Sequence, residues 1–76
     1  MSGGKLTLPV WLTPQGDKVS CIEKIKILNE NLEEIQALAQ EAFEDAVLMG
    51  CDEAQFKKVL QDIAQSVANP YTKPKK

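Results

Sequence analysis

The chain has 76 residues, a mass of 8.4 kDa and a net charge of −2, with 43% hydrophobic and 26% charged residues. That is room for one small domain, with the balance of a globular protein rather than a disordered or fibrous one. All nine bases are lysine and histidine is absent, which excludes Ser-His and Cys-His nucleophile pairs, imidazole general bases and the Glu-x-x-His pattern of di-iron bundles.

Residues 1–5 are glycine-rich and are expected to be disordered. Leu6, Leu8, Val10 and Leu12 then alternate with a period of two. Thr13-Pro14-Gln15-Gly16 reads as a β-turn, with proline second and glycine fourth. Asp17-Lys18-Val19 is a candidate return strand, although an irregular extended arm packed on a helix is equally compatible with residues 6–19. Within this arm Trp11 is expected to pack on the following helix or to anchor a partner. The apolar run at 6–12 is broken by Thr7 and Pro9 and no A-x-A site follows, so no signal peptide is read here. No run of about 18 apolar residues occurs. The expectation is a cytoplasmic chain with reduced thiols and no membrane association.

Ser20-Cys21-Ile22-Glu23 has the spacing of a capping box. After it no glycine or proline occurs until Gly50, the expected left-handed stop. Between them Cys21, Ile25, Leu28, Leu32, Ile35, Ala39, Ala42, Ala46 and Met49 recur at alternating spacings of four and three, a heptad seam. The spacing predicts one helix over 21–49, with Asn29 and Asn31 marking the place where it would bend. Asp52-Glu53-Ala54-Gln55 is a second capping box. The stripe Phe56, Val59, Leu60, Ile63, Ala64, Val67 predicts a helix over 53–68, stopped by Asn69-Pro70. The basic tail 70–76 should be loose.

The predicted fold is therefore all-α: a single helical domain over 6–69 with an extended N-terminal arm (6–19) and an antiparallel hairpin of unequal helices (20–49 and 52–69 with their caps). At 1.5 Å per residue the helices measure about 44 and 24 Å, so the second reaches back only to about residue 34. There Ala39, Ala42 and Ala46 would face Phe56, Leu60 and Ile63, small against large. The other half of the seam, Ile25, Leu28, Leu32 and Ile35 with Ile22 and Ile27 beside it, is left for the arm or a second chain to cover. A homodimeric four-helix assembly is the expected outcome. The candidate interface residues are Trp11, Ile22, Ile25, Leu28, Leu32 and Ile35. Another protein is the other possible partner.

With one continuous helix Cys21 and Cys51 lie about 45 Å apart and cannot bond within the chain. They read as a small core residue and a turn residue, too few for structural zinc or a disulfide scaffold. Eight acids and no base fall between Glu30 and Glu53. They read as a solvated face or as a surface for a basic partner, and they disfavour nucleic acid and anionic lipid. The spacing Ala46, Gly50, Phe56 also fits a helix-turn-helix, but Asp52 and Glu53 at the groove-entering end, with no arginine, oppose that use. No catalytic residue, cofactor or metal is expected. The functional expectation is a non-enzymatic interaction or accessory protein acting through an apolar helix face. The alternative is a nucleic-acid-associated helix-turn-helix-like regulator.

Overall fold

The structure, a computed structural model, describes residues 7–71; the expectations for residues 1–6 and 72–76 lie outside them. Two α-helices, α1 (Ile22–Leu48) and α2 (Glu53–Ser66), make the chain all-α with a helical hairpin contact. Among the described residues there is no regular strand. The chain divides into two compact units, Met1–Ala42 and Phe43–Lys76, and α1 passes from one into the other.

In the first unit the turn forms where proline and glycine place it. The Gly16 amide donates to the Thr13 carbonyl at 2.9 Å, and Gly16 adopts φ 91°, a left-handed conformation open to glycine at little cost. The Thr13 hydroxyl accepts from the Asp17 amide at 3.2 Å. The two legs then pair briefly: Thr13 donates to the Asp17 carbonyl at 2.7 Å and Val19 to the Trp11 carbonyl at 2.8 Å, around one antiparallel bridge between Leu12 and Lys18. The period-two reading does not survive as a buried face. Leu8 and Trp11 are half-buried, whereas Val10 and Leu12 are exposed, so the inward side changes register between positions 8 and 11.

Helix α1 starts at Ile22, and the Cys21 carbonyl accepts the first helical bond from the Ile25 amide at 3.1 Å. Cys21 thus holds the boundary position, and Ser20 stands one residue too early to cap the helix as its spacing suggested. The helix runs unbroken through Asn29 and Asn31.

In the second unit α1 ends on a two-bond glycine stop. Gly50, at φ 88°, donates to the Val47 carbonyl at 3.0 Å, and Cys51 donates to the Ala46 carbonyl at 2.9 Å. Asp52 caps α2, its carboxylate accepting from the Gln55 amide at 2.8 Å. The far end of α2 comes two residues earlier than predicted. The Ser66 hydroxyl donates to the Ile63 carbonyl at 2.7 Å, so the Val67 amide turns to Ala64 at 3.4 Å and Val67 becomes extended. Asn69 then closes a local turn over Pro70 by accepting from the Tyr71 amide at 2.7 Å.

The hairpin contact runs through a residue outside the predicted seam. The ring of Phe43 meets that of Phe56 edge-on, with centroids 5.9 Å apart, and the Lys57 ammonium lies 5.4 Å from the Phe43 ring centre. Ile63, expected to face the alanines, is exposed instead. Phe43 follows the seam residue Ala42 by one position, about 100° round the helix, and its ring meets Phe56, while Leu60 is half-buried and Ile63 is not. Ala46, 4% exposed, is the one buried hydrophobic side chain among the described residues.

Candidate functional site

In the first unit α1 presents apolar side chains on two adjoining faces, and only one of them is covered. At about 100° per residue, Ile25, Leu28, Leu32 and Gln36 share an arc, and all four are half-buried. The indole N–H of Trp11 donates to the Asn29 side-chain oxygen at 2.8 Å on the edge of this arc, tying the extended segment to the helix. Asn29 is therefore a latch for Trp11, a role that its reading as a weak helix former did not suggest.

The second face carries Ile27, Ile35 and Leu38, which fall within about 80° of arc and are 56%, 61% and 68% exposed. The spacing of eleven between Ile27 and Leu38 brings them back to the same side of the helix after three turns. Asn31 lies at the centre of this arc and is also exposed. Glu30, Glu34 and Glu41 occupy the neighbouring arc on the Ile27 side, all exposed, and of these Glu30 shares a loose 3.9 Å ion pair with Lys26.

The six predicted interface residues are divided by this arrangement. Trp11, Ile25, Leu28 and Leu32 are half-buried and belong to the covered face, while Ile22 and Ile35 are exposed. Ile35 alone of the six lies on the open face. Leu38 was missed because it sits off the heptad seam, and Ile27 was placed only beside that seam. The eleven-residue spacing is the signal that would have found both.

The second unit has an open edge of its own. Phe56 and Leu60 are half-buried, but Val59 and Ile63 on the same stripe of α2 are exposed. Lys58 and Asp62 flank them and pair with each other at 2.8 Å. A shallow groove on the polar side of α2 is lined by Lys58, Gln61, Asp62, Gln65 and Ser66. Cys51 is exposed as its turn position implies; Cys21 is also exposed, not the core residue its seam position suggested, because it precedes the helix. Among the described residues no group of three or more metal-ligating side chains converges, no buried side-chain polar atom lacks a partner, and no helix is long and apolar enough to cross a membrane.

Comparison with known proteins returns no match: no family pattern fits the chain, and neither a curated protein nor a solved structure resembles it.

Proposed function

We propose that this is a non-enzymatic interaction or accessory protein, and that its working surface is the open face of α1 formed by Ile27, Ile35 and Leu38. The observation that carries the reading is the exposure of three large aliphatic side chains on one side of a helix whose adjoining face is already covered. Apolar side chains grouped on one side of a helix, here Ile35 beside Leu38 with Ile27 beyond Asn31, mark contact sites more than singly scattered ones do. Nucleic-acid binding finds less support. Asp52 and Glu53 stand at the start of α2, and the two lysines that follow are engaged, Lys57 with the Phe43 ring and Lys58 with Asp62.

Photo-crosslinking in cells of the native source tests this reading. A photoreactive residue at position 38 should yield a discrete adduct, and one at position 33, on the other side of α1, should not. Identical patterns from the two positions would overturn it.

A second copy of the chain is favoured at a different place. The open edge Val59–Ile63 of α2 carries the paired Lys58 and Asp62, so no net charge opposes self-contact there. A homodimeric four-helix assembly built on that edge would bury it. Sedimentation velocity should then show association that rises with concentration and is abolished by Ile63→Asp; a single monomeric species at all concentrations contradicts it.

A further inference from the structure

The charge around the open face of α1 distinguishes among the surfaces that could cover it. We infer that its occupant is an amphipathic helix from another protein with lysine or arginine along one edge, an inference that rests on the interaction reading above. Glu30, Glu34 and Glu41 form one margin of the face, and no base stands on that margin. The bases nearest it are Lys26, beyond Glu30 and paired with it, and Lys24, which lies within the arc of the face itself, about one turn before Ile27.

A second copy fits this margin badly in either orientation. In an antiparallel two-fold pair the same edge of each helix meets its own image, so the glutamates of one chain would face those of the other. In a parallel pair the acid-bearing edge meets the opposite edge, which here carries Leu28 and Ala39. That would set carboxylates against apolar surface. Anionic lipid and nucleic acid are repelled by the same three acids. A basic-edged helix meets both requirements: its apolar stripe covers Ile27, Ile35 and Leu38, and its cations reach the glutamates at the rim. Such rim charges act mainly on partner choice and association rate, less on affinity.

The probe is a pair of synthetic helical peptides with the same leucine stripe, one edged with lysine and the other with glutamate, titrated against the full chain at low salt. The lysine-edged peptide should bind about tenfold more tightly at about 0.01 M salt, and the preference should shrink toward none at about 1 M, where the screening length falls from about 30 Å to about 3 Å. Glu34→Lys/Glu41→Lys should reverse the preference, and Ile35→Gln/Leu38→Gln should abolish binding of both peptides with the circular dichroism unchanged. Equal affinity for the two peptides, or no effect of the charge reversal, overturns the basic-partner inference and leaves the interaction reading standing. Binding of either peptide that survives the double glutamine change overturns both.

Discussion

In residues 43–71 the apolar surface of α1 is met by a second helix, fixed at its near end by the glycine stop at Gly50 and the Asp52 cap. In residues 7–42 an extended segment is tied to the same helix by a hydrogen bond from Trp11 to Asn29. A helix brings a regular stripe that can match another stripe turn by turn. An extended segment of a dozen residues covers a narrow strip, and the arc beside that strip stays open. The open face of α1 thus follows from how its first half is covered, and the helix would not present it if a second helix packed there.

Substitutions can break this contrast, beginning with the largest expected loss. Phe56→Ala removes the ring on which the second unit depends and should cost about 2–3 kcal/mol, from lost apolar burial and the edge-on pair with Phe43; urea unfolding followed by circular dichroism measures it. Gly50→Ala puts a Cβ on a left-handed residue and should cost about 1–2 kcal/mol in the same assay. The space around Gly50 is open, so this penalty is conformational and not a clash. Asp52→Ala should cost about 1 kcal/mol through loss of the Gln55 cap.

Asn29→Ala sharpens the contrast rather than breaking it. It should shift the extended segment toward the open state by about 1 kcal/mol while leaving the urea midpoint of the helices nearly unchanged. Trp11, the sole tryptophan, reports this directly as a red shift in emission. A large fall in the helical midpoint would mean that the segment and α2 stabilise one cooperative core. The smallest effect belongs to Asp62→Asn: its pair with Lys58 is about 60–70% exposed on both sides, and exposed i,i+4 pairs contribute only about 0.3–0.5 kcal/mol.

What the sequence made legible were the features governed by local chemistry. Gly16 and Gly50 sit where left-handed backbone is required, and Asp52 caps the helix that its spacing announced. The two helices, and the fact that the first is much the longer, were readable from periodicity alone. What was not legible depended on contacts between segments. The heptad seam treated Ile25 and Ile35 as equivalent, but Trp11 reaches Asn29 and so selects one side of the seam for cover. Phe43 escaped because a seam is traced through positions, whereas a large ring one position away can take over a contact meant for alanine. The early end of α2 hung on a serine hydroxyl turning back on Ile63, a choice that Asn69-Pro70 masked.

The open face of α1 is free for a partner only if Ile35 and Leu38 do nothing for the folded chain itself. The urea stability of Ile35→Gln/Leu38→Gln tests that claim most directly, since glutamine and leucine have similar helix propensity. Both side chains face solvent, so the double variant should match the parent to within about 0.5 kcal/mol. A loss of about 3 kcal/mol or more, the range of large-to-small changes inside a core, would show that the face is already occupied and contradict the account.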